Sequence, residues 1–216
     1  PGYILNQFAM DENNGYFRIA TTTGDTWRED EFTSMNNLYI LDADLKIVGK
    51  VEGLATRETI RSVRFMGKMA YMVTFRTTDP LFVLDLSDPR NPQVKGELKI
   101  PGYSQYLHPI SDTILVGFGR EAIEEGDRAI ELGIKLSVFD VSDVSDPKEI
   151  STFIIGDQGT YSEVLYNHKS LLYSKEKNIL GFPITIYEDV SNNNNNDRMY
   201  WSYLPTFAGY IIMGLT

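Results

Sequence analysis

Few residues of this sequence could do chemistry on their own. There are two histidines, His108 and His168, and no cysteine. That excludes a thiol nucleophile, a disulfide framework and cysteine-ligated zinc or iron–sulfur centres. Two histidines also fall short of a three-histidine metal site, so both are read as structural side chains. No Gly-x-Ser-x-Gly elbow, phosphate loop or dinucleotide fingerprint occurs, and Gly117-Phe118-Gly119 reads as a strand end. The best constellation stands at or beside three serines, Ser62, Ser104 and Ser162. It comprises Arg61, Arg64, Tyr103, Gln105, Tyr161 and Glu163. Polar groups of this kind could bind a ligand, serve a hydrolase or lyase through carboxylates and arginines, or simply hold water.

Aspartates form a second set. Asp85-Leu86-Ser87-Asp88-Pro89 is echoed by Asp140-Val141-Ser142-Asp143, with another Ser-Asp-Pro at Ser145-Asp146-Pro147. Calcium is the ion such loops would attract, but it wants six to eight oxygens. A loop such as Asp85–Pro92 offers two carboxylates plus backbone. Turn chemistry is the better reading, with Asp and Ser side chains bonding nearby N–H groups and Pro fixing the turn. No cofactor is expected.

The elements that would position these groups come from a repeat. Leu38-Tyr39-Ile40-Leu41-Asp42, Leu81-Phe82-Val83-Leu84-Asp85 and Leu136-Ser137-Val138-Phe139-Asp140 are one phrase written three times, with the aspartates 43 and 55 residues apart. Four-stranded propeller blades take about 40–50 residues. The three serines open the innermost strands, and second strands follow at Ala70–Phe75, Thr113–Phe118 and Ile179–Ile186. The chain start repeats the plan with Ile4–Met10, an Asn13-Asn14-Gly15 turn and Tyr16–Thr22; Asn-Gly is a strong hairpin signal. Outer strands fall at Lys46–Glu52, Val94–Ile100 and Glu149–Ile155. Val94–Ile100 alternates with period two, as a half-exposed outer strand should. The fourth repeat ends with Phe207–Leu215 and shows no outer strand. The expected fold is therefore all-β, a β-propeller with about four antiparallel blades (3–52, 60–100, 103–155 and 161–216), the last incomplete, belonging to a larger propeller.

In such an arrangement the six polar residues line a central channel. The B-to-C connections, between second and third strands, emerge together on one face. Three of them are long: Gly24–Asn36, Arg120–Ile134 and Tyr187–Thr206. They hold most of the formal net charge of −10, including Glu124 and Glu125, and both tryptophans, Trp27 and Trp201, with Tyr200 and Tyr203 beside the second. Loops on a rigid scaffold commonly carry function, and exposed aromatics anchor interfaces. The competing reading is solvated loops whose aromatics fold back onto the core. The acidic balance argues against nucleic acid and against an anionic membrane surface.

Glu58-Thr59-Ile60-Arg61-Ser62-Val63-Arg64-Phe65-Met66-Gly67, Val73-Thr74-Phe75, Asp79-Pro80-Leu81-Phe82 and Asp85–Pro89 resemble the secreted β-propeller domain family of bacteria and archaea. That family is distantly related to WD-repeat propellers. Asn6-Gln7-Phe8, Phe17–Thr22, Tyr106-Leu107-His108-Pro109 and Asn167-His168-Lys169 are similar to further pieces of it. The chain departs from ordinary WD repeats in having no Trp-Asp dipeptide and no Gly-His pair. The resemblance implies an extracytoplasmic, secreted or cell-surface protein with more chain on the N-terminal side, often anchored to a membrane there. It carries over no catalytic residue. Pro1-Gly2-Tyr3, with no initiator Met or signal peptide, fits an excised segment.

The reading favoured by the sequence is a non-enzymatic binding or scaffold module that presents its acidic, aromatic loop face to a protein, peptide or glycan. The alternative is a hydrolase or lyase with its site at the channel mouth. Open blade flanks also suggest pairing with a second copy.

Overall fold

The protein is described here by a computed structural model covering residues 1–76, 79–125, 128–189 and 203–215. Strong β-formers in short runs between Gly, Asn, Asp and Pro turns give four antiparallel sheets, taken up in chain order. The first sheet is β1 (Met10–Asn13), β2 (Tyr16–Thr23), β3 (Met35–Leu41) and β4 (Ile47–Leu54). The second is β5 (Thr59–Met66), β6 (Met69–Phe75), β7 (Asp79–Asp85) and β8 (Gln93–Ile100). The third is β9 (Tyr103–Pro109), β10 (Ile114–Glu125), β11 (Arg128–Asp140) and β12 (Lys148–Ile155). The fourth has only β13 (Leu172–Ser174), β14 (Ile179–Asp189) and β15 (Tyr203–Gly214). The expected incomplete last blade is present.

The side-chain period of two places successive residues on opposite faces of a strand, and in the middle sheets both faces are covered. Ala70, Met72, Phe82 and Leu84 pack against Leu38 and Ile40 of the first sheet. Their neighbours Tyr71, Val73, Leu81 and Val83 pack the other way, onto Leu107, Leu115 and Phe139 of the third. Val116, Phe118 and Leu136 then meet Leu180, Phe182 and Ile184 of the fourth. Each fully buried side chain of this size contributes about 1.5–3 kcal/mol. Three successive inter-sheet cores make a series of blades rather than one sandwich. Among the described residues no core joins the strands of the fourth sheet to those of the first, so the series stays open.

Gly49 of β4 is buried under the turn of the second sheet: a Cβ there would run into the Pro89 carbonyl oxygen and stand 2.9 Å from Pro92 Cδ. Gly96 of β8 is buried in the same way under Val144 and Pro147 of the third sheet. All three outer strands are bulged at one register, skipping Val48, Lys95 and Ile150. Asp42, Asp85 and Asp140 close the third strands equivalently. Their Oδ1 atoms accept from the N–H groups of Asp44 and Lys46, of Ser87, and of Ser142. The aspartates therefore perform the turn chemistry expected of them.

Three expectations need correction. Ile4–Met10 is not one strand: the Asn6 side chain accepts from the Phe8 N–H and sets a 3-10 turn, Gln7–Ala9, before β1. Ser162 does not open an inner strand either. It caps a 3-10 turn, Glu163–Leu165, and Asn167 caps another, His168–Ser170. Local side-chain capping has outcompeted the sheet ladder at these points. Finally, Arg120–Ile134 is no loop. Strands β10 and β11 run on past a bulge as a hairpin arm pairing Glu125 with Arg128, and β14 and β15 likewise extend to an Asp189–Tyr203 pair.

Candidate functional site

Four sheets meet at an aromatic cluster that sequence reasoning did not assemble. Phe8, held by the Asn6-capped turn, stands 5.5 Å from the Tyr106 ring and edge-on at 4.9 Å to His168. The Arg64 guanidinium of β5 lies 5.0 Å above the Phe8 ring, within cation–π range. On β9, the Tyr106 hydroxyl and His108 Nδ1 are 3.0 Å apart, and Tyr173 of β13 meets the His108 ring edge-on at 4.9 Å. Beside them opens a hollow of about 270 Å³, lined by Gln7, Phe8, Gln105, Tyr106, Tyr166 and His168. The two histidines thus belong to one cluster although their repeat positions do not correspond. The signal that could have joined them is the pair of capping asparagines, Asn6 and Asn167, that set the turns carrying Phe8 and His168.

Burial, reinforced by the Arg64 charge, lowers the His108 pKa to about 4. Burial also raises that of Tyr106. The His108 ring is therefore neutral at pH 7, and its Nε2 and Gln105 Oε1 are buried polar atoms. This node can stack and accept or donate hydrogen bonds. Among the described residues that line the hollow there is no carboxylate; the nearby Glu163 accepts from Asn167 Nδ2 at 2.6 Å.

The six residues expected at the channel mouth fall in three places. Arg64 and Gln105 join the aromatic cluster. Arg61 instead lies 5.1 Å over Tyr103 and 5.6 Å over Phe75. The Tyr103 hydroxyl donates to Glu131 Oε1 at 2.6 Å, and burial with that carboxylate raises its pKa. Tyr161 and Glu163 line a separate hollow of about 240 Å³ with Pro183 and Thr185. Burial raises the pKa of Glu58, which accepts from the Thr74 hydroxyl, but Glu58 stands in none of the three groups.

The B-to-C face is better defined. Gly24–Ser34 is a compact loop closed by Asp25 N–H to Phe32 O at 2.9 Å and Ser34 N–H to Asp25 O at 3.0 Å. Within it Arg28 is held between two rings, 5.3 Å from Trp27 and 4.9 Å from Phe32, while its Nε donates to Asp30 at 2.8 Å. Arg57 pins Glu29 at 2.9 Å. Trp27 is 73% exposed and Phe32 56%, so these aromatics do not fold back onto the core. In the β10–β11 arm some of the acidity is used internally. Lys135, almost wholly buried, donates to the Pro101 carbonyl at 2.6 Å and lies 3.6 Å from Glu121 and 3.3 Å from Glu149. Arg120 lies 3.4 Å from Glu131. Tyr203 is half-buried at the end of the second arm. Tyr200 and Trp201 lie outside the described residues, as do the side chains of Glu124 and Glu125 at the tip of the first arm.

Comparison with known proteins adds two kinds of finding. The profile of a family described as a beta propeller domain matches residues 1–210. An uncharacterized protein of Methanocaldococcus jannaschii is 53% identical over 153 residues, 70% of this chain and 23% of that relative. An uncharacterized protein of Archaeoglobus fulgidus is 48% identical over 183 residues, 85% of this chain and 26% of that relative. The chain spans about a quarter of the length of the curated relatives it matches.

Proposed function

The chain belongs to the β-propeller domain family, whose fold generally serves as a binding or scaffold module, and on that premise we propose that it binds a polypeptide through its B-to-C face. The observation that carries this reading is the Trp27–Arg28–Phe32 stack: two exposed aromatic rings on a loop fixed by its own backbone bonds and by the Arg57–Glu29 pair. Rigid exposed aromatics lose little entropy on binding, and such residues dominate interface energetics. Asp25, Glu31 and Glu188 add negative charge to the same end of the sheets, Glu29 being paired with Arg57, so the partner surface is basic around an apolar centre. An extracytoplasmic setting is part of the proposal and rests on the family resemblance.

A channel-mouth hydrolase or lyase has less support, because the six polar residues named for it are divided among three places. The binding reading is tested with a Trp201→Phe background, in which Trp27 is the sole tryptophan, by titrating a lysine- and leucine-bearing peptide and neutral oligosaccharides. A saturable, salt-sensitive change in Trp27 fluorescence with the peptide supports it. A response to oligosaccharide alone would assign the face to glycans, and no response would overturn it.

A further inference from the structure

Two hollows stand on either side of a tyrosine pair at the entrance to the fourth blade. The Tyr161 and Tyr166 rings are stacked, 6.2 Å between centroids and 17° from parallel. Tyr166 walls the hollow of about 270 Å³ beside the aromatic cluster, and Tyr161 walls the one of about 240 Å³ that holds Glu163 and Thr185. A second link crosses the same divide, because Asn167 lines the first hollow and donates to Glu163 in the second. Both rings are open to solvent, Tyr161 at 47% and Tyr166 at 66% exposed. Their backbone is nonetheless fixed. Tyr161 exchanges two bonds with Thr185, at 2.9 and 2.8 Å, and the Tyr166 N–H donates to Glu163 O at 3.0 Å.

The walls decide what such hollows can hold. Exposed aromatic rings present apolar faces of negative π charge, which suit a flat, weakly positive C–H surface. A ring sandwiched between the two tyrosines would need about 7 Å, two contacts of roughly 3.5 Å each, so the pair offers its outer faces rather than a slot. The polar groups of the first hollow include Gln7, Gln105 and Asn167, and no Lys, Arg, Asp or Glu side chain lines it among the described residues. Carboxamides both donate and accept, as hydroxyl groups do. Gln105 Oε1 is buried without a partner, and an acceptor left so is costly, so it calls for a donor. Arg64 lies over the Phe8 ring and is not among the lining groups, and Glu163 would repel an anion in the second hollow.

We propose that the paired hollows form a binding site for a neutral oligosaccharide, with sugar rings seated on both sides of the Tyr161–Tyr166 pair and the chain crossing over its exposed edge. The ring in the first hollow lays its C–H face on Tyr166 and donates a hydroxyl to Gln105 Oε1. A later ring of the same chain meets Tyr161 and donates a hydroxyl to Glu163. Linkage of the rings makes the second contact intramolecular, so affinity rises with chain length. The site shares no residue with the Trp27–Arg28–Phe32 stack, and it stands or falls independently of the polypeptide-binding face.

The test titrates the 216-residue chain with neutral gluco-, manno-, galacto- and N-acetylglucosamine tetrasaccharides, their monosaccharides and oligogalacturonate, by calorimetry and ligand-observed NMR. At least one neutral tetrasaccharide should bind about tenfold more tightly than its monosaccharide. Tyr161→Ala should erase that advantage, whereas Tyr166→Ala and Gln105→Leu should each weaken both ligands about tenfold. If no neutral tetrasaccharide binds more tightly than about 1 mM, the proposal is overturned; equal affinity for oligogalacturonate overturns it too. Binding that survives Tyr161→Ala and Tyr166→Ala but is lost in Trp27→Ala would give the saccharide to the B-to-C face, and also overturns it.

Discussion

The Ser62 hydroxyl donates to the Ser104 carbonyl oxygen at 2.7 Å, joining the inner strands of the second and third blades. Both residues are buried, so this bond is made away from competing water. Ser62→Ala removes the donor and leaves the cavity of one oxygen. A net intramolecular hydrogen bond is worth about 0.5–1.5 kcal/mol. The expected loss is about 1 kcal/mol in urea denaturation. Ser162→Ala, whose hydroxyl donates to Pro183 O within the fourth blade at 2.6 Å, should lose a similar amount; an unchanged midpoint for Ser62→Ala would show that this serine does not tie its blade to the next.

Gly96 should tolerate no side chain. A Cβ there meets the Val144 carbonyl oxygen and stands 2.9 Å from Pro147 Cδ, and turn backbone cannot yield as a flexible side chain would. Overpacking of this kind costs about 1–3 kcal/mol. Gly96→Ala and Gly49→Ala should both lower the thermal midpoint. Ser151→Ala, at the equivalent register but exposed, should leave it within about 0.5 kcal/mol.

His108 makes stability depend on pH. Its folded pKa, lowered to about 4 by burial and by Arg64, lies below the unfolded value of about 6.5. The unfolded chain therefore binds more protons between these values, and the stability held above pH 6.5 falls as pH drops toward 4. The full shift corresponds to at most about 3 kcal/mol. His108→Phe should flatten the denaturation midpoint over pH 6.5–4; an undiminished slope would place the titrating group elsewhere.

Arg18 should be the most costly surface-to-blade link to cut. Only 3% exposed, it forms a bidentate pair with its cross-strand partner Asp11 and donates to the Gly67 carbonyl of the next blade at 2.6 Å. Removing one partner of a buried pair costs about 3–5 kcal/mol. Arg18→Leu is expected near the lower end, since Asp11 keeps some water. A double variant with Asp11→Leu should recover part of the loss, which a double-mutant cycle measures.

Much of this architecture was legible because each blade repeats a phrase whose apolar residues face both neighbouring sheets. Leu81-Phe82-Val83-Leu84 has to be covered on two sides, and the repeat says by what. The Asp-Ser turns were legible for a similar reason, since their bonds are local. The entrances to the first and fourth blades were not. Asn6 and Ser162 look like ordinary strand openers until their side chains are seen bonding backbone two residues on. The long connections misled because acidic stretches such as Glu121–Glu125 carry little hydrophobic period in the sequence; cross-strand pairing in an arm decides their form. Glu163 is redirected by the 3-10 turn that stands where a strand was expected, whereas Arg61 parts from Arg64 because it is the residue bulged out of the β5 ladder.

The shared bulge at Val48, Lys95 and Ile150 has a consequence for how molecules meet one another. A bulge bends the strand and breaks the regular spacing of outward N–H and C=O groups. Each of the three outer rims therefore makes a poor template for another molecule's strand, and lateral growth into fibres is discouraged at the same height on every complete blade. The partner ladder of β15 shifts instead near its far end, between Ile186 and Tyr187, leaving the stretch from Phe207 to Gly214 evenly spaced. If filaments form from this chain at high concentration, they should nucleate there, and a lysine placed at Ile212 should suppress them.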